Sequence, residues 1–146
     1  MKVFIGSDHR GFKLKEALKR HLTRLGHTVS DKGPFSYDPN DDYPDFVIPA
    51  ARAVARDKRA RGIVLGATGQ GEAMAANRVK GVRAAVYYGG PRKILTMSRG
   101  HNNANILSLG ASFLTEGEAK SAVEYWIAAP FEGGRHIRRL KKFSHT

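Results

Sequence analysis

One feature limits this chain more than any other: short apolar runs and helical stripes alternate along it five times. Lys2 to Gly6 reads as a buried strand around Val3, Phe4 and Ile5. Residues 12–25 then place Leu14, Ala17, Leu18, Leu22 and Leu25 at helical spacing, with Gly26 as the stop. "HTVSD" reads as a second strand, and "DFVIPAARAVARDK" as a second helix with Asp45 as its cap and Pro49 near its first turn. "GIVL", "VRAAVYY" and "NILSLG" read as the remaining strands. Helices follow at Glu72 to Arg78, within "GGPRKILTMSRG", and in "TEGEAKSAVEYWIAA". In the last of these, Thr115 and Glu118 have capping-box spacing, and Ala119, Val123, Trp126 and Ile127 make a stripe. Strand–helix repetition of this kind predicts a parallel sheet with helices on both faces, an α/β three-layer αβα sandwich. No linker or internal repeat divides the chain, so residues 1–146 read as a single domain ending in a basic tail.

In such sheets ligands bind beyond the carboxyl ends of the strands. Three loops there carry chemistry: "SDH", "GATGQGE" and "YYGGPRK". The glycine turn Gly66 to Glu72 lacks the Lys-Ser/Thr of a P-loop, because Glu72 and Ala73 follow Gly71. A dinucleotide loop would need an acid about 20 residues on, where the chain has Arg92 and Lys93. What remains is a row of backbone N–H groups from Ala67 through Gly69 and Gln70 to Gly71, at a helix N-terminus and joined by the Thr68 hydroxyl. Glu72 is either a partner of the helix dipole or a functional carboxylate. Asp8 and His9 follow the first strand and read as ligand-binding or proton-transferring groups, with Asp8 equally suited to capping the next helix. His101 and Asn102 enter the fifth strand, at the far end of the sheet from the glycine turn. Arg135 and Arg139 share a helical face that suits a phosphate, though the segment by itself reads first as a solvated basic tail.

Composition narrows the function. Cysteine is absent, which excludes disulfides, thiolate metal sites and cysteine nucleophiles and fits a reducing, cytoplasmic compartment. No apolar run approaches the roughly 20 residues of a membrane span, and "MKVFIGSDH" reads as a strand and turn rather than a signal peptide. The net charge of +12 raises nucleic acid as a partner. Against it, the basic residues of "FKLKEALKRHLTR" and "ARAVARDKRAR" read as solvated helix faces, and no aromatic residues alternate with them.

Taken together, "GSDHRGFKLK", "DYP", "GATGQGEAMAANR", "GVRAA", "SRGHNNANILSLG" and "FEGGRH" resemble the ribose-5-phosphate isomerase type B family, whose relatives include galactose-6-phosphate isomerase subunits. The resemblance runs over nearly the whole chain. It implies a flavodoxin-like sheet in the order 2-1-3-4-5 and a homodimer or dimer of dimers with sites shared between subunits. It also implies aldose–ketose isomerisation of a sugar phosphate, most simply ribose 5-phosphate, with no cofactor and no metal. One branch of the family keeps a cysteine where this chain has Gly66; the other has a glutamate matched by Glu72, here the base. Asp8 and His101 match ring-opening residues. Thr68, His9, Asn102 and Tyr43 match ligand contacts, and Arg135 and Arg139 match phosphate-binding arginines. The chain departs in two places. Ser112 stands where the family commonly has an arginine, and the loop with Arg92 and Lys93 is longer than usual, so either residue is a candidate to replace that cation. Other readings are an isomerase of a hexose or tetrose phosphate, or a non-catalytic nucleotide- or RNA-binding protein.

Overall fold

The computed structural model describes residues 1–144. Five parallel strands form one sheet: β1 (Lys2–Ser7), β2 (Thr28–Asp31), β3 (Arg61–Gly66), β4 (Ala84–Tyr87) and β5 (Ile106–Gly110). Between and after them run α1 (Phe12–Arg24), α2 (Pro44–Arg56), α3 (Gln70–Asn77), α4 (Arg92–Gly100), α5 (Glu116–Ala128) and α6 (Arg135–Phe143). The basic tail is therefore helical up to Phe143, and its last two residues lie outside the described residues. Among the described residues no helix is long and apolar enough to cross a membrane.

The pleat of each strand sorts its side chains between two cores. Val3, Ile5, Ile63, Leu65, Leu107 and Leu109 pack against Leu18 and Leu22 of α1, Leu95 of α4 and Val123 and Trp126 of α5. Phe4, Val64 and Ile106 point the other way, onto Val47, Ala50 and Val54 of α2 and Ala76 of α3. Trp126 is fully buried, and its indole N–H donates to Ser98 Oγ at 3.2 Å, so its polar atom is satisfied inside the core. The capping box at Thr115 and Glu118 is formed as the spacing predicts.

Three expectations need correction. The strand order is β2-β1-β3-β5-β4, with β5 rather than β4 beside β3. Burial explains it. Every residue of β5 is buried, whereas every residue of β4 is half-exposed, so β5 takes the interior and β4 the edge. Asp45 sits within the first turn of α2, whose cap position is Tyr43, and Pro49 lies inside that helix. Finally, not all the α1 charges are solvated. Lys15 is fully buried, with Nζ 2.6 Å from Asp31 Oδ2 and 2.9 Å from Pro34 O. The end of β2 folds its carboxylate over α1, and the long aliphatic stem of Lys15 fills the gap between them.

Candidate active site

The glycine turn is built as an extension of the sheet. Beyond the last β3–β5 pair, Gly66 with Gly110, Ala111 N–H donates to Gly66 O at 2.8 Å and Ser112 N–H to Ala67 O at 3.0 Å. Gly69 is left-handed at φ 78° and lies so close to the Leu109–Gly110 backbone that a β-carbon would be crowded at 3.1 Å. The buried Ser108 hydroxyl donates to Gly69 O at 2.6 Å and pins the turn from below. Thr68 Oγ1 accepts from Gln70 N–H at 3.1 Å, so one of the anticipated free N–H groups is already satisfied inside the turn.

Glu72 occupies the third position of α3 and is 4% exposed. Its carboxylate packs onto the Gly66 backbone, where a β-carbon on residue 66 would overlap it. Burial raises its pKa, and the nearby Asp8 charge adds to the rise; the N–H groups of Glu72 and Gly69 oppose both without reversing them. Oε2 is buried and has no hydrogen-bond partner in the chain. A buried carboxylate with a free lone pair and a raised affinity for protons is suited to taking a proton from carbon. Tyr43 brings its hydroxyl against Gly71, on the adjacent side of the turn.

Asp8 is nearly buried, and its Oδ1 caps the 3-10 turn His9–Gly11 by accepting from Arg10 N–H at 2.9 Å and Gly11 N–H at 3.2 Å. It thus performs the capping role while standing close enough to Glu72 to perturb it. His9 is held by a residue the sequence reading did not single out. Asp41 Oδ1 accepts from His9 N–H at 2.9 Å and lies 2.7 Å from His9 Nδ1. A carboxylate can only accept, so the ring proton sits on Nδ1 and Nε2 is left without a hydrogen-bond partner among the described residues. The signal was the acidic run "YDPNDDYP", which alone does not say which of Asp38, Asp41 and Asp42 reaches the site.

His101, Asn102, Arg135 and Arg139 are not brought to this cluster. They lie at the amino-terminal edge of the sheet, where α4 ends and β5 begins. There the His101 and His136 rings stack at 4.4 Å, and Glu132 N–H donates to Gly100 O at 3.0 Å. Burial lowers the His136 pKa, and electrostatic repulsion from His101, Arg135 and Arg139 adds to this, against the pull of Glu132. His101, Glu132 and His136 offer donor atoms within 4.8 Å of one another. The two rings are only 14° from parallel, so their in-plane lone pairs do not converge on one ion as a metal site requires. Asn103 and Asn105 are structural. Arg99 Nη1 donates to Asn103 Oδ1 at 3.0 Å and Ala104 O at 2.7 Å, and Asn105 Oδ1 accepts from Arg83 N–H at 2.7 Å. Arg99 is 4% exposed, and burial together with Arg61 and Arg83 lowers its pKa to about 10. Asn102 is exposed on the rim of a groove of about 1020 Å³ that also reaches Asn77, Arg83 and Phe143.

Residues 3–143 match the profile of the Ribose/Galactose Isomerase family. The chain belongs to this family. It is 42% identical over 141 residues to ribose-5-phosphate isomerase B of Mycolicibacterium paratuberculosis, covering 96% of this chain and 87% of that one. Ribose-5-phosphate isomerase B of Mycoplasma genitalium, solved with bound ribulose-5-phosphate, superposes with a TM-score of 0.94 at 42% identity, covering 99% of this chain and 94% of that one. The Clostridium thermocellum ribose-5-phosphate isomerase B gives the same TM-score of 0.94 and identity of 42%, covering 99% of this chain and 96% of that one. The flavodoxin-like expectation thus holds at the level of the fold, with the exchange of β4 and β5 as its one amendment.

Proposed function

We propose that this protein is an aldose–ketose isomerase that interconverts ribose 5-phosphate and ribulose 5-phosphate. The observation that carries the proposal is Glu72: a buried carboxylate with raised proton affinity, held against Gly66 beside the glycine turn. Similarity to isomerases of this substrate pair, one of them solved with the ketose product bound, supports the choice of sugar.

In this mechanism Glu72 removes the proton from C2 of the open-chain aldose and returns it to C1 through a cis-enediolate. One base near both carbons suffices, and N–H donors of the glycine turn stabilise the oxyanion as it develops. Thr68, Tyr43 and His9 hold the sugar hydroxyls. Asp8 and His101 open the furanose ring, and Arg135 and Arg139 bind the phosphate. The last three of these residues stand at the opposite edge of the chain from Glu72, so we propose a homodimer in which each site takes Glu72 from one copy and His101, Asn102, Arg135 and Arg139 from the other. On the same reading the whole chain is one catalytic domain, supported by the family match over residues 3–143, and it works in the cytoplasm, where phosphorylated sugars are retained. The deciding experiment is an isomerase assay over a panel of pentose, hexose and tetrose phosphates, run beside Glu72→Gln. Turnover of ribose 5-phosphate that is lost in the variant supports the proposal. No turnover of any member of the panel, or full activity of the variant, refutes it.

A further inference from the structure

The side chain of Arg10 leaves the turn after β1 and crosses to the loop after β5, where Nη2 donates to Ser112 Oγ at 3.3 Å. Both residues are exposed. Arg10 adjoins Asp8 and His9, and its own backbone N–H is fixed by Asp8 Oδ1 at 2.9 Å. Ser112 is fixed from the other side, because its N–H is bonded to Ala67 O within the glycine turn. The pair therefore bridges the two loops that frame Glu72. Among the described residues no carboxylate lies within ion-pair distance of the Arg10 guanidinium. The nearby acids are otherwise engaged: Asp8 Oδ1 with backbone N–H groups and Asp41 Oδ1 with His9. Arg92, one of the two cations that the sequence offered for this region, instead lies 3.5 Å above the Tyr125 ring.

We infer that Arg10 and Ser112 form an anion seat that takes the phosphate group of the substrate, in the same chain as Glu72. The inference rests on the isomerase reading and specifies what holds the charged end of the sugar. A serine hydroxyl that accepts from an arginine keeps its own hydrogen to donate, so the pair presents a guanidinium fork and an O–H to one tetrahedral anion. The Ser112 N–H is already committed, so the positive charge of the seat comes from Arg10. Because seat and candidate base share a chain, the seat should bind inorganic phosphate even where the arginines of α6 have been removed.

The test uses the full-length protein and two readouts: calorimetric titration with inorganic phosphate, and steady-state kinetics on ribose 5-phosphate. Arg10→Ala should weaken phosphate binding and raise KM on the order of 10- to 100-fold, the range for a charge-assisted hydrogen bond, with kcat changed by less than about threefold. Arg10→Lys should recover part of the loss, and adding Ser112→Arg to Arg10→Ala should recover most of it by returning a cation to the same point. Unchanged phosphate affinity and KM in Arg10→Ala overturn the inference, as does a fall in kcat with KM unchanged. If the wild-type protein turns over no sugar phosphate but Arg10→Ala still loses phosphate affinity, the isomerase reading fails and the anion seat stands.

Discussion

The carboxylate of Glu72 fills the space in which a side chain at Gly66 would begin. The two positions therefore compete for one volume, and a residue with a β-carbon at 66 is incompatible with Glu72 in its present place. Gly66→Ala should displace Glu72, lower stability by about 1–3 kcal/mol, the usual cost of overpacking, and remove most activity. In Gly66→Ala/Glu72→Ala the clash is gone, so stability should return while activity does not. A double-mutant cycle on thermal unfolding measures this coupling; additive effects would refute it.

Glu72→Gln should lower kcat by on the order of 10²–10⁴, the contribution expected of a general base, and leave KM within a few-fold of wild type. The protein should remain folded, because the replacement is isosteric and the site already contains a buried oxygen without a partner.

The raised pKa of Glu72 has a definite sign for stability. Its folded value lies above its unfolded value, so ionisation opposes folding, and stability falls as pH rises through the folded pKa. Glu72→Gln should therefore match or exceed wild type in Tm at pH 8, with the difference shifting toward wild type as the solution is acidified. A difference independent of pH would show that Glu72 ionises normally. Activity runs the other way: the base must be deprotonated, so the acid limb of kcat/KM should lie above the ordinary glutamate range.

The buried Lys15 and Asp31 give an opposite pH signature. Burial alone would raise the Asp31 pKa, but the hydrogen bonds from Lys15 and Lys19 outweigh it and lower the value. Its contribution to stability is present above the unfolded pKa and disappears as pH falls through the folded one. Lys15→Ala leaves Asp31 with less compensation at a site where its side chain is only 10% exposed, and should cost about 3 kcal/mol. Chemical denaturation at neutral pH measures that cost, and the loss should shrink in acid.

Shared sites can be tested by mixing. Glu72→Gln and His101→Asn should each be inactive alone. If each site joins Glu72 of one copy to His101 of another, mixed dimers restore one intact site of two. Equal mixing after subunit exchange should then recover roughly a quarter of wild-type activity. No recovery in exchanged samples would count against the shared arrangement.

The architecture was legible because apolar runs and helical stripes alternate clearly, and because a buried strand and an amphipathic helix differ in period. The positions of β4 and β5 were not, since "VRAAVYY" and "NILSLG" both read as apolar strands and their difference in burial arises only when the helices pack. The motif alone left Glu72 open between a dipole partner and a functional carboxylate, and the family resemblance made it the candidate base. Asp41 did not stand out, because a flexible-looking acidic loop gives no register for which carboxylate folds back. Lys15 misled for a related reason: helical periodicity assigns a charged residue to the solvent face, and nothing local to α1 announces Asp31. His101 was correctly placed at the far edge from connectivity, whereas the part of Asn103 and Asn105 in holding Arg99 and Arg83 depends on contacts that the motif does not show.

The bonds from Ala111 and Ser112 to Gly66 and Ala67 carry the ladder of the sheet past the ends of its strands. The donors that would meet a developing oxyanion thus belong to a rigid lattice rather than to a flap. Their ordering entropy is lost when the chain folds, not when the sugar arrives, and little reorganisation should remain for the moment of proton transfer. Amide exchange at Ala111 and Ser112, which donate these bonds, should then be as slow in the free protein as in the central strands. Ligand-induced protection should appear instead at the N–H groups of the glycine turn that the sugar engages.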